Sequence, residues 1–259
     1  MSEHIRQISS DFWNIRGDFK IAGFVNIGTH ASLVRRGNGK CVLLDSYTLR
    51  GEVKEQIDAI SRNGDDIEAI INLHPFHTIH ARQAHEQYPN AKLYGTQRHI
   101  EKFPDLNWEP ELSNSKDFSE LFAEDFEFSV PAGVDFISRN EHLHFSSVLA
   151  YHMASKTIHS DDTLMYIQLP GLLGKIVEPE VTFHMTLAKT LERRAGAALD
   201  FRTWATQLVE QWGRAENLCA AHSAILLGSE NQSASIASRI LAALQKVENT
   251  LQSHEKKFG

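Results

Sequence analysis

Three histidines fall within seven positions of the sequence, at His74, His77 and His80, in a chain with 14 histidines among 259 residues. They follow an apolar run over residues 67–73 that predicts a buried strand. Ligand sites in α/β sheets collect at the carboxyl ends of strands, and imidazoles on a loop there can reach one metal ion. The segment therefore predicts a metal site. The other interpretation is a polar surface turn that is rich in histidine.

The elements around these histidines predict an alternating α/β layer. Strands are predicted at 24–34 and 40–45, with a Gly-Asn-Gly turn between them. Helices and strands then alternate in the order helix, strand, helix, strand, helix, at 52–62, 67–73, 80–87, 91–94 and 98–103. Residues 108–125 are acidic and polar and predict a surface excursion with little structure. The alternation is typical of an α/β domain.

The second half of the chain predicts strands followed by helices. A β-meander is expected from strands at 126–130, 134–138, 142–153 and 157–167. Helices are expected at 180–194 and 201–211, then a strand at 217–221 and a long amphipathic helix at 233–256. The chain has no fixed-period repeat and no linker-like stretch. We therefore expect a single domain over 1–259, with C-terminal helical elements at 180–213 and 233–256.

The charge of the chain limits the class of its binding partner, and its cysteine content indicates the cellular compartment. The chain has 26 Lys and Arg against 33 Asp and Glu, a net charge of −7, which gives no electrostatic support to a nucleic-acid or anionic membrane surface. Cys41 and Cys219 lie far apart in apolar runs and are expected to be buried free thiols in a reducing compartment. No stretch has the length of a membrane span or the pattern of a leader peptide. We expect a cytoplasmic protein with a small-molecule substrate; its oligomeric state stays open.

Four further segments appear in an order that resembles the metallo-β-lactamase superfamily, from about Phe24 to His222. They are an apolar strand that ends in an acid (CVLLD, 41–45), YPNAKLY at 88–94, SDDTLM at 160–165 and LCAAHS at 218–223. The resemblance implies an α/β fold, namely a four-layer αββα sandwich. It also implies that the histidine segment corresponds to the family's H-x-H-x-D-H metal loop.

The histidine loop departs from that motif at one position. Counting back from Tyr88 puts His80 on the last histidine, His77 on the second and Ile79 on the aspartate. His74 meets the first histidine only with one extra residue in the loop. Because isoleucine neither ligates a metal nor accepts a proton, the sequence predicts at most one tightly bound metal, zinc or another divalent ion, with iron as an alternative. An aspartate at position 79 is expected to strengthen metal binding.

The resemblance implies further ligands outside this loop. Asp162 takes the place of the metal-bridging acid and is the candidate catalytic residue, as a ligand or general base. His222 takes the place of the histidine that closes a late strand. Between them, His142 and His144 share a strand face, and we take His142 as the candidate with His144 as the alternative. Asp45 is expected to be structural. The predicted metal set is His74, His77, His80, His142, Asp162 and His222, converging in one cleft.

Two functions follow from this resemblance. The first is a metal-dependent hydrolase that uses metal-activated water on an unknown small molecule. The second is a non-catalytic binding module with a vestigial metal site, which fits the loss of the carboxylate at Ile79. A redox role with iron is a third interpretation, and the lack of acids between His74 and His80 argues against it. Residues 108–125 and 169–179 are expected to form walls of the site.

Overall fold

The computed structural model describes residues 4–17, 20–21, 25–26, 28–167, 179–221, 224–230 and 234–259. The chain divides into two compact units, the first over 1–128 with 152–155 and the second over 129–151 with 156–259. The expectation of a single domain stays a prediction.

The first unit contains a six-stranded sheet in the order β1-β2-β5-β6-β7-β8. Its strands are β1 (Ile5–Ser9), β2 (Phe12–Gly17), β5 (Thr29–Arg35), β6 (Cys41–Leu44), β7 (Ile67–Ile71) and β8 (Lys92–Tyr94). Two short strands, β3 (Lys20–Ile21) and β4 (Val25–Asn26), pair with each other. The strands predicted at 40–45, 67–73 and 91–94 are confirmed by β6, β7 and β8. Of the strand predicted at 24–34, the part from Thr29 onward is confirmed by β5, Val25–Asn26 belongs to β4, and residues 24 and 27 lie outside the described residues.

Helices connect the parallel part of this sheet. Helix α1 (Gly51–Ile60) lies between β6 and β7, and helix α2 (Ala81–Gln87) lies between β7 and β8. Both strand pairs are parallel, so their carboxyl ends meet at one edge of the sheet. The segments that begin at Asp45 and Asn72 leave the sheet at this edge, which is where the sequence predicted a site.

The N-terminal hairpin of β1 and β2 is absent from the sequence prediction. Strand β2 is buried at almost every position, and the polar Asn14 is enclosed along with its apolar neighbours. The Asn14 side-chain nitrogen donates to the carbonyl of Ala31 (3.2 Å) and to Ser32 Oγ (2.9 Å), and these bonds offset part of the cost of its burial. A strand buried on both faces lacks the alternation that reveals strands.

The prediction of little structure at 108–125 is wrong. Helix α3 (Gln97–Lys102) is followed by helix α4 (Lys116–Leu121), whose first turn is capped by Ser115 accepting the Phe118 N–H at 3.1 Å. Phe118 and Phe122 are buried and pack on Tyr94, with ring centroids 5.3 and 5.6 Å away. The apolar stripe is only two aromatic residues long, so the acidic residues around it hid the helix.

The second sheet has the order β15-β14-β11-β10-β9. Its strands are β9 (Phe126–Ser129), β10 (Leu149–His152), β11 (Thr157–Ser160), β14 (Asn217–Ala220) and β15 (Ile225–Leu226), and the boundary between the units passes through β9 and β10. Strands β12 (Leu164–Ile167) and β13 (Glu180–Phe183) form a separate antiparallel pair.

The predicted meander is therefore corrected in three places. Residues 142–148 are not a strand, and 134–138 forms only one bridge, between Val134 and Leu191. The predicted strand over 157–167 is two strands, because the chain turns at 161–163. Strand β11 pairs in parallel with β14, so the sheet is not a pure meander.

The helical elements of the second unit are α5 (Leu187–Thr190), α6 (Ala197–Gln211) and α7 (Ile236–Phe258). The predicted helix over 180–194 is wrong at its start, where Val181 and Phe183 are buried alternately with exposed or half-buried neighbours in β13. Helices α6 and α7 are confirmed, and Arg202 on α6 bonds Glu248 and Glu255 on α7. Within the described residues, no helix combines the length and the apolar character needed to cross a membrane.

Candidate metal centre

The histidine loop begins where β7 leaves the sheet. Asp45, which follows β6 with a positive φ of 61°, accepts the backbone N–H of Leu73 at 2.8 Å. Its own N–H donates to the carbonyl of Ile71 at 2.8 Å. These bonds fix the path of the chain directly before His74. The expected structural role of Asp45 is confirmed, and its side chain holds the backbone of Leu73 directly before the histidine loop.

His74 and His77 form a close pair. His74 is fully buried, His77 is half-buried, and their rings stack with centroids 4.0 Å apart and an interplanar angle of 18°. Each offers a ring nitrogen within 4.8 Å of the other's. The His77 N–H donates to the carbonyl of His74 at 3.1 Å, so a tight turn holds the pair together.

The protonation pattern of His74 is set by its backbone neighbour. The Phe76 N–H donates to His74 Nδ1 at 3.0 Å, so Nδ1 carries a lone pair. The neutral ring then holds its proton on Nε2. To bind a metal, His74 must give up either this hydrogen bond or that proton, which weakens it as a ligand.

Ligand type decides whether a divalent metal suits this loop. Zinc and related ions take imidazole nitrogen and carboxylate oxygen, and His74 and His77 supply two imidazoles at suitable separation. The pair therefore fits such an ion. Histidine and aspartate side chains of this chain could hold a metal.

The position of the missing acid is exposed. Ile79 has 55% of its surface in contact with solvent, in contrast to the enclosed His74. A carboxylate at position 79 would stay largely hydrated, and a hydrated exposed acid adds little to a buried imidazole ligand. The expectation that aspartate there would strengthen metal binding is therefore revised.

His80 has a different environment from the stacked pair. Its Nδ1 lies 2.8 Å from Thr48 Oγ1, and its ring lies edge-on to Tyr47 with centroids 5.0 Å apart. Burial lowers the pKa of His80, and the charges of Arg50 and His77 lower it further. His80 lines a cavity together with Arg16 and Arg50.

Asp162 lies in the turn that follows β11 in the second unit. Asp161 and Asp162 are both buried in this turn. Thr163 fixes its path, because its Oγ1 donates to the carbonyl of Phe145 (2.9 Å) and accepts the N–H of Ser147 (2.9 Å). Two buried carboxylates side by side are costly unless a cation lies near them.

Asp161 was missed by the sequence reasoning. A carboxylate oxygen of Asp161 and a ring nitrogen of the buried His159 lie within 4.8 Å of each other. The sequence feature that could have identified Asp161 is its position next to Asp162. Two adjacent acids that directly follow an apolar strand both enter the same turn.

The structure describes both candidate histidines, His142 and His144. His142 lies in a turn, where its backbone N–H donates to Asn140 Oδ1 at 3.0 Å. His144 Nδ1 lies 3.9 Å from Asp162 Oδ2, and its Nε2 donates to the carbonyl of Glu141 at 2.6 Å. In the neutral ring, Nδ1 therefore has the lone pair. The alternative, His144, is the one that lies near Asp162.

Two sequence predictions fall outside the described residues. They are His222, the predicted ligand at the end of β14, and most of the predicted wall at 169–179, of which only Pro179 is described. The two expected thiols are confirmed as buried and free, at Cys41 and Cys219.

Comparison with known proteins gives matches at the level of structure. No model of a protein family matches the chain, and neither does any curated protein. A solved structure of TMB-1 is 13% identical, with 95% of this chain and 96% of that chain covered at a TM-score of 0.61. A metallo-β-lactamase from Erythrobacter litoralis is 13% identical over 95% of this chain and 98% of its own, at a TM-score of 0.59. One from Pontibacter korlensis is 15% identical over 93% and 98%, at 0.57.

Such identities are too low to carry an activity across, since one fold supports many functions. The coverage of both chains nevertheless includes nearly every element described above. The α/β class is confirmed, and the resemblance drawn from the sequence is confirmed for the fold. The chain has the metallo-β-lactamase fold.

Proposed function

We propose that the protein is a metal-dependent hydrolase acting on a small molecule. The observation that carries this proposal is the stacked pair of His74 and His77, each with a ring nitrogen within 4.8 Å of the other's. The pair follows β7, at the sheet edge where the carboxyl ends of β6, β7 and β8 meet. The fold and the net charge of −7 support a small-molecule substrate over a nucleic acid.

We propose that one metal is held chiefly by His74 and His77. A further ligand comes from the set predicted by sequence, which is His80, His142, Asp162 and His222, with His144 as the alternative to His142. Zinc or a similar ion would supply a water acidic enough to react at neutral pH.

The side chains have separate roles in this proposal. His77 binds through a ring nitrogen, which lies within 4.8 Å of a ring nitrogen of His74. Asp162 accepts a proton as the catalytic residue, and the neighbouring His144, whose Nδ1 lies 3.9 Å from Asp162 Oδ2, lies beside that carboxylate. Substrate class and cytoplasmic location remain predictions.

Metal analysis tests the proposal most directly. Protein purified without added metal is expected to carry up to one equivalent of zinc or iron, and to hydrolyse at least one member of an ester, thioester and phosphoester panel. Because a metal that binds only the folded state stabilises it, removing the metal should lower the Tm and abolish turnover.

Two histidine variants provide the control. His77→Ala should lose both metal and turnover, whereas His85→Ala, on α2 and outside the predicted ligand set, should keep both. Turnover that survives both metal removal and His77→Ala would contradict the metal-dependent mechanism.

A non-catalytic binding module is the second candidate. Two observations favour it, namely the exposed Ile79 at the acid position and the Phe76 N–H that occupies His74 Nδ1. Metal absent from the wild-type protein, together with no turnover on the panel, would select this function.

A further inference from the structure

A second site candidate lies in the first unit, beside the histidine loop. It is a cavity of about 360 Å³ that opens to solvent. Six of its lining residues carry polar side chains: His4, Arg16, Tyr47, Thr48, Arg50 and His80. Two are arginines, and none of the lining residues that the structure describes is an acid.

The walls of this cavity are built by close packing. The ring of Tyr47 lies directly over Gly17, where a Cβ would stand 2.3 Å from Tyr47 Cζ. The same ring meets His80 edge-on, and His80 is held in turn by Thr48 at 2.8 Å. The Arg16 N–H donates to the carbonyl of His4 at 2.7 Å, which brings the start of the chain to the rim.

The charge of the cavity is positive. Arg50 directly precedes α1, and its side chain makes no capping bond to that helix. Val53, in the first turn of α1, also lines the cavity, so the helix presents its positive end there. The nearest acid of that turn, Glu52, is exposed and accepts a hydrogen bond from Gln56 at 2.9 Å.

We propose that this cavity binds the anionic group of a small molecule, a phosphate or a carboxylate. Arginine presents several N–H donors in a planar fork that matches such groups, and Thr48 and Tyr47 add hydroxyls. The His80 ring lines the same cavity and is held by Thr48, so it forms part of the fixed wall beside the arginines. The inference does not depend on a metal at His74 and His77.

The test is a titration followed by amide NMR at constant ionic strength. Inorganic phosphate, methyl phosphate and acetate are added separately, to the protein as purified and to protein passed over a chelating resin. Saturable shifts are expected at Arg16 and over residues 48–53 with and without metal. The tighter of phosphate and acetate identifies the anion class.

Arginine variants decide whether binding occurs in this cavity. Arg50→Gln and Arg16→Gln each remove a charge-assisted hydrogen bond. Each variant should therefore raise the Kd for phosphate about 10- to 100-fold. Arg82→Gln is the matched control, because Arg82 pairs with Asp105 outside the cavity. Arg50 is exposed, so its variant should fold even if the Arg16 variant does not.

Three results would overturn the inference. The first is the absence of saturable binding of all three anions to the wild-type protein. The second is an unchanged Kd in Arg50→Gln. The third is loss of binding after metal removal alone, which would assign the anion to the metal instead.

Discussion

The ring of His77 lies parallel to the ring of His74, with centroids 4.0 Å apart. Two imidazoles this close repel each other when both are protonated, so the pair favours at least one neutral ring. A neutral imidazole is the form that binds metal, and the stack therefore prepares a ligand pair before any metal arrives. Its members differ, because only His74 is bonded by the Phe76 N–H.

The first prediction concerns this tautomer. Nitrogen NMR of the metal-free protein should show His74 with its proton on Nε2, because Nδ1 accepts from Phe76. Adding zinc should change the His77 ring signals, and should change those of His74 only if it exchanges this bond for the metal. Zinc that leaves both rings unchanged would argue against the pair as ligands.

The second prediction is that Ile79→Asp leaves metal binding almost unchanged. The side chain at 79 is more than half exposed, so its carboxylate would stay in water. Calorimetry with zinc should give the same stoichiometry as the wild type and a Kd within about threefold, since exposed ion pairs contribute less than ~1 kcal/mol. A rise to two metals per chain would show that position 79 reaches the site.

The third prediction is a loss of stability in acid from His152. This ring is buried against Phe12 and Phe126, with centroids 5.9 and 5.1 Å away. Burial lowers the pKa of His152 to about 4, although the charges of Asp125 and Asp11 act in the opposite direction. The unfolded chain binds this proton near pH 6.5, whereas the folded chain resists it, so stability falls as pH drops from about 6.5 to 4.

The measurement is urea unfolding across that pH range. The contribution of His152 should be about 1–3 kcal/mol at pH 4, given a shift of roughly two units. His152→Phe, which keeps a ring among the aromatics, should flatten the pH dependence even though it loses the bond to Ser155. An equal slope in both proteins would mean that other groups carry the effect.

The fourth prediction concerns the C-terminal helix α7. Arg202 on α6 bonds both Glu248 and Glu255, and these bonds hold the pKa of each carboxyl below its usual value. Arg202→Met should increase hydrogen exchange over the last turns of α7 while β11 and β14 stay protected. Lys246→Met, which removes an exposed ion pair between α7 and Glu180 of β13, should have a smaller effect.

The fifth prediction is a coupling between Gly17 and Tyr47. Because a Cβ at 17 would overlap the Tyr47 ring, Gly17→Ala should destabilise the protein by about 1–3 kcal/mol. Tyr47→Ala opens that space, so the double variant should lose less stability than the sum of the two single variants. Strict additivity in thermal unfolding would contradict the contact.

The sequence correctly predicted those helices and strands whose pattern of apolar residues is visible within a short stretch of the chain. Helix α1 and strands β6 and β7 carry clear apolar periodicity or apolar runs, and they form where expected. Strand β2 escaped notice because a buried Asn14 interrupts its apolar run, and β13 because only two of its residues are buried. Strand β13 pairs with β12, which ends more than ten residues earlier, and β2 pairs with β5 as well as with β1, so a short local window misses part of what stabilises each strand.

The candidate site likewise has one part that the sequence could predict and one part that it could not. His74 and His77 are three residues apart, so their proximity follows from a single turn. The choice between His142 and His144 depends on the path of residues 140–148. These residues form a loop in the structure, whereas the sequence predicted a strand from residue 142. Side-chain direction alternates in a strand and not in a loop, so the sequence argument between these two histidines lost its basis.

Both ends of the histidine loop are held by one short segment. Asp45 accepts the Leu73 N–H, Ser46 Oγ donates to Asn72 Oδ1 at 2.6 Å, and Thr48 Oγ1 lies 2.8 Å from His80 Nδ1. The loop is therefore anchored at both ends by contacts outside itself. Within it, the buried Thr78 accepts a hydrogen bond from Lys102 at 2.6 Å, so a redesign would have to keep that residue. A loop anchored in this way is a scaffold for designed metal sites.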